Sequence, residues 1–280
     1  MGVQAGKKYA GANGCNVYIG KQAGCGGTGT VDGVNNIIMG LSAARQIDGG
    51  DNNIFMGCYA AKTVSSGSGN IMLGDEAGCA LTTGTDNIGL GHKSMGTGTV
   101  TGNCNIALGS RAGTNISNGQ YNVFFGKYAG WGNTSGHCNI AIGCNAGKGI
   151  TTATENISIG GLGLQSAAGN MNVQIGRYGQ FYMCGACNIS LGQNTMQGTT
   201  TAADNVGHSN LALGKSAMYY EKTGCYNIAI GQNALYGAAA GVTGNYNIAL
   251  GYAAAAIGLE MATSIPAMGP LMARACLYTP

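Results

Sequence analysis

One short alternation of polar and apolar positions recurs along most of the chain. An Asn is followed by Ile, Val or Leu, then a variable residue, then a second large apolar residue, then Gly. Asn227-Ile228-Ala229-Ile230-Gly231 returns as Asn247-Ile248-Ala249-Leu250-Gly251. Copies begin at Asn16, Asn36, Asn53, Asn70, Asn87, Asn105, Asn122, Asn139, Asn156, Asn172, Asn188, Asn210, Asn227 and Asn247. The commonest spacing is 17 residues, within a range of 16 to 22. Apolar residues two apart, β-branched at the first, predict a short strand with one face buried rather than a helix. The Gly that closes each copy, as at Gly20, Gly126, Gly231 and Gly251, predicts a turn, because glycine reaches positive φ without steric cost.

Two weaker columns keep the same ruler. Seven residues after the Asn stands a small residue, as at Ala60, Ala112 and Ala146; twelve after it, Thr or Ser is frequent, as at Ser65, Thr82, Thr99, Ser117, Thr134 and Thr151. The polar column predicts a second strand, since Thr suits a pleated surface. Length variation falls after the small residue, in Gly/Ser/Thr-rich sequence, where insertions belong to loops. One such unit cannot bury its apolar face alone, whereas stacked units can, and stacking pairs every backbone group with the rungs above and below. The predicted fold is therefore all-β: a β-solenoid (parallel β-helix or β-roll) of about fourteen 17-residue rungs over residues 16–255. The Asn column becomes a ladder of bonded amides. At ~4.8 Å per rung the rod is roughly 65–70 Å long. Residues 1–15 are expected to be an arm or docking segment, and residues 256–280, where the period breaks and all three prolines lie, a cap or assembly tail.

With the two flanking apolar positions assigned to the core, the residue between them is expected to face outward. It is often apolar, as at Tyr18, Ile38, Phe55, Met72, Ala107, Phe124, Ala141 and Ala229. An outward apolar column predicts association along the rod, as a parallel homotrimer.

Composition narrows the function classes. Charged residues are 8% of the chain and the net charge is +3, too little and too dispersed for a nucleic-acid partner. No run approaches the ~20 apolar residues of a membrane helix, so membrane insertion is not expected. The amino terminus lacks the apolar region of a secretory signal. Eleven cysteines, an odd number with no scaffold spacing, are read as small hydrophobes of a chain made in a reducing compartment. Fifty-three glycines without a period of three exclude collagen.

No catalytic, cofactor or metal site is predicted. Cys184 and Cys187 form a lone CxxC, and repeat packing accounts for Cys187. His92, His137 and His208 stand at unrelated repeat positions. Lys215-Ser216 lacks the leading Gly of a phosphate loop, because Ser209 stands there. Asp75-Glu76 is the one adjacent carboxylate pair, and neighbours on a strand point to opposite faces. Ten scattered carboxylates argue against a depolymerase. Candidate receptor contacts are the aromatics of the variable arcs, Trp131, Phe181, Tyr182, Tyr219 and Tyr220, which offer large contact area at low entropic cost.

The motif Asn-Ile-Ala-Ile-Gly-x-x-Ala-Leu, clearest over Asn227–Leu235 and Asn247–Ala255, resembles the tandem repeats of bacteriophage tail-fibre proteins. It is more distantly similar to the head repeats of trimeric autotransporter adhesins. The resemblance spans residues 16 to about 255 and implies a trimeric, elongated appendage. The expected function is a non-enzymatic structural fibre or spike at a virion surface. Its expected partners are itself, other virion components at the ends, and a host surface glycan or protein. The alternative is an extracellular filament or sheath subunit stacking head to tail.

Overall fold

The computed structural model describes residues 2–8, 14–27, 32–165, 169–201, 204–237 and 243–254. Each repeat contributes one three-residue strand: β1 (Val17–Ile19), β2 (Ile37–Met39), β3 (Ile54–Met56), β4 (Ile71–Leu73), β5 (Ile88–Leu90), β6 (Ile106–Leu108), β7 (Val123–Phe125), β8 (Ile140–Ile142), β9 (Ile157–Ile159), β10 (Val173–Ile175), β11 (Ile189–Leu191), β12 (Leu211–Leu213), β13 (Ile228–Ile230) and β14 (Ile248–Leu250). They form one sheet in strict chain order. Every pair is parallel and in register, so that Ile54 lies beside Ile71 and Phe55 beside Met72. The 22-residue spacing before β12 leaves the register intact, with Ile189 beside Leu211. The predicted β-solenoid is present.

The Asn column runs through the interior. Asn36 to Asn227 are almost wholly buried. Each backbone N–H donates to the side-chain oxygen of the Asn one rung back, from Asn36 onto Asn16 to Asn247 onto Asn227. In the central rungs the amide also donates twice. Asn122 Nδ2 reaches Asn105 Oδ1 at 3.0 Å and the Gly136 carbonyl at 2.8 Å. No polar atom of these buried amides is left to compete with water.

Two expectations are corrected. The strand faces are the reverse of those expected: the middle residue is the buried one, with Ile38, Phe55, Met72, Ala107, Phe124, Ala141 and Ala229 fully inside. The flanking residues point outward, including Val17, Ile19, Phe125, Ile248 and Leu250. Alternate strand residues share a face, so burying the Asn carries the second residue after it into the core. Secondly, the Thr/Ser column forms no strand among the described residues; isolated bridges such as Leu81 to Val100 lie beside it. It is still stitched rung to rung by the main chain, as in Ser65 N–H to the Thr82 carbonyl and Ser117 N–H to the Thr134 carbonyl, both 2.9 Å. Beside it runs a second core column of Ile47, Val64, Leu81, Val100, Ile116 and Ile150.

Core size is matched locally. Phe124 lies where a Cβ on Gly113 or Gly130 would come within 2.9 or 2.3 Å of its ring, so those glycines supply its space. Gln174 takes the same inward position on β10, facing Gly163 and Gly179. It accepts a bond from Ser158, while Gln180 donates to Ser190. This polar stretch lies between the long apolar core of the first eight rungs and that of the last five, which begins at Met183.

The arm expected over residues 1–15 is in part built onto the rod. Gly6 N–H donates to the Ala23 carbonyl, and Gln22 N–H to the Val3 carbonyl, both at 2.9 Å. The tail expected over 256–280 lies outside the described residues.

Asn122→Ala should remove both amide bonds and orphan the buried Asn139 N–H, which Asn122 Oδ1 accepts at 3.0 Å. The expected loss is about 2–4 kcal/mol, read by denaturant unfolding. Gly143→Ala should cost at least about 2 kcal/mol in the same assay, because φ is +127° and the added Cβ would stand 2.3 Å from the Gly160 carbonyl oxygen.

Candidate functional site

The most extensive surface feature is the outer face of the sheet. The residues one and three after each Asn are all Ile, Val, Leu, Met or Phe. They form two columns about 7 Å apart without a charge between them. Exposure reaches 56% at Phe125 and 63% at Leu250. Over fourteen rungs of ~4.8 Å, a face roughly 10 Å wide amounts to about 650 Å². Monomeric proteins rarely expose a contiguous apolar patch larger than a few hundred Å².

A second feature is aromatic. Phe181 and Tyr182 meet Tyr178 on the rung after β10, and Tyr219 and Tyr220, after β12, meet Tyr236 one rung further on. Ring centroids lie 5.8 Å apart for Tyr178–Phe181, 4.7 Å for Phe181–Tyr182 and 4.7 Å for Tyr219–Tyr220. Tyr236 stacks on Tyr219 at 5.1 Å and meets Tyr220 edge-on. All six are half-buried. Burial first, and neighbouring tyrosines second, push the Tyr219 and Tyr236 hydroxyls above the usual phenol range. Trp131 is not part of this group; it sits after β7 with the Lys148 ammonium 5.4 Å from its ring. The sequence reading missed Tyr178 and Tyr236. Tyr236 was legible, since Trp131, Phe181, Tyr219 and Tyr236 all stand nine residues after a repeat Asn.

A third aromatic group was also passed over. Tyr226 and Tyr246, each just before a repeat Asn, stack at 5.1 Å with their planes 3° apart, and His208 meets Tyr226 edge-on. Such surfaces can stack on planar groups or on the apolar face of a sugar ring. Beside this stack His208 Nδ1 lies 3.2 Å from the hydroxyl of its chain neighbour Ser209. None of the ten described cysteines, Cys184 and Cys187 included, forms a disulfide. Among the described residues no helix is long and apolar enough to cross a membrane.

Among the described residues one carboxyl lies in the interior. Glu221, on the rung after β12, takes the place that Ile116 and Ile150 take on theirs, and it is completely buried. Neither carboxyl oxygen has a hydrogen-bond partner. Burial pushes its pKa well above the usual carboxylate range; the Gly224 and Lys222 amides favour the charged form but fall short of bonding geometry. Comparison with known protein families, curated proteins and solved structures returned no match.

A carboxyl whose folded pKa is raised stabilises the fold below its unfolded value, near ~4.3, and that contribution is lost as pH rises through the folded value. The wild-type melting temperature should therefore fall from mildly acidic toward alkaline pH. Glu221→Met should be more stable by over about 1 kcal/mol at alkaline pH and lose most of that slope, as thermal unfolding across pH would report.

Proposed function

We propose that the chain is a non-enzymatic structural shaft, working as a parallel homotrimer in a fibre or spike at a virion surface. The observation that carries this reading is the uncharged apolar face along the whole rod. A second copy is the partner that fits it best, because it brings an equally long and equally apolar face with the same repeat. Pairing two such faces would bury about 1,300 Å² in total, within the range of stable interfaces, and would desolvate no charge. Cyclic symmetry about an axis along the rod keeps all copies pointing the same way. Three faces then enclose a column of Ile, Leu, Met and Phe side chains and leave two distinct ends, one for anchoring and one for reach. The aromatic group near Tyr219 stands away from the flat face, at positions suited to meeting a host glycan or protein.

The resemblance of the repeat to phage tail-fibre repeats supports the virion assignment. A second reading, a filament stacking head to tail, draws on the far edge of the sheet: β14 has no further strand beside it among the described residues.

Light scattering on purified protein should give three times the 28.0 kDa chain mass, with a rod-like small-angle scattering profile. The pair Leu108→Lys and Ile142→Lys, in the middle of the flat face, should shift it toward monomer or aggregate. A monodisperse wild-type monomer at micromolar concentration would overturn the trimer, and long filaments in negative stain would select the second reading.

A further inference from the structure

Away from the flat face and the aromatic group, metal-donor side chains converge at the corner that follows β4 and β5. Asp75 and His92 occupy the same place on consecutive rungs, each directly after the repeat Gly, and Glu76 follows Asp75. Their donor atoms all lie within 4.8 Å of one another. His92 Nε2 is 3.8 Å from Asp75 Oδ2. Cys58 holds the equivalent place one rung earlier.

The scaffold beneath these residues is fixed. Gly74 and Gly91 N–H groups donate to the Met56 and Leu73 carbonyls, Glu76 N–H to the Cys58 carbonyl, and Lys93 N–H to the Asp75 carbonyl, at 2.8 to 3.0 Å. Only the side chains need move to close on an ion, and their half-exposed state gives them that freedom.

The simpler account is two cross-rung ion pairs, His92 with Asp75 and Lys93 with Glu76, the latter at 3.3 Å. Exposed pairs of this kind contribute little. They also leave unexplained why two of the chain's ten carboxylates and one of its three histidines meet at one corner. We propose that Asp75, Glu76 and His92 bind one divalent transition cation, zinc being the best match. One imidazole and two carboxylates suit a borderline ion, whereas calcium takes six to eight oxygens. Donors ~2.0–2.2 Å from zinc stand roughly 3.5 Å from one another, so the side chains close by about 1 Å. Lys93 then releases Glu76 to the ion. The bound cation ties two rungs together through their side chains, and the site is complete within one chain, independent of the oligomeric state.

The test is a zinc titration of the full-length protein by calorimetry, with accessible thiols first blocked by iodoacetamide so that cysteines do not compete. The expected result is one saturable site per chain. His92→Ala should weaken it at least ten-fold, and Lys93→Met should leave it as tight or tighter. All three side chains are at the surface, so the variants should retain the wild-type far-ultraviolet spectrum, which is recorded for each. Absence of saturation below millimolar zinc, or equal affinity in His92→Ala, would overturn the site and leave the two ion pairs as the full account.

Discussion

The fold depends on in-register stacking of one rung on the next. Each strand is three residues long, too short to persist alone, and gains its partners only from its neighbours along the rod. The Asn ladder makes this stacking specific. It seats a side-chain oxygen under the backbone N–H of the following rung and closes its own amide on carbonyls. A slip of one residue would bring Ile or Val under that N–H and leave a row of buried amides unpaired, a penalty repeated at every rung. The repeat Gly is bound by the same constraint, because its neighbour's main chain passes where a Cβ would be.

Much of this was legible in the sequence. Fourteen phrases with a fixed Asn and Gly define rung number, strand position and parallel order, since chains that repeat every 17 residues can stack only in one sense. The facing of the strand was misread because an alternation of period two fixes that faces differ, not which is inside. The Asn held the answer: once a ladder of amides is buried, the second residue after it must join it on the pleat, and Phe55 and Phe124 belong to the core. The left-handed backbone before most repeat Asn residues was legible only where Asn35, Asn52, Gly69 and Asp86 stand, types that favour it. Tyr121, Cys138, Glu155 and Met171 all have φ near +57°, though none is a type that favours this region. Stacking imposes the conformation, and local preference yields to it. Glu221 was hidden for a related reason: its column was overshadowed by the neighbouring Thr and Ser, so nothing marked that position as interior.

The candidate sites follow the repeat in the same way. The aromatic group could be anticipated in part because Phe181 and Tyr219 share a repeat position. The Asp75–His92 corner was legible by the same ruler and was passed over: both residues stand five after a repeat Asn, and 17 residues along the chain is one strand spacing in the fold. In a stacked fold, separation along the chain modulo the repeat is what measures proximity.

The undisturbed pairing of β11 with β12 across the longest insertion has a consequence for length. Since each rung meets only the two beside it, a whole turn can be gained or lost without altering any other. Reach is then set by copy number, in steps of ~4.8 Å, while embellishment of the arcs proceeds separately. Such a molecule can be lengthened like a rule, graduation by graduation, with its cross-section unchanged.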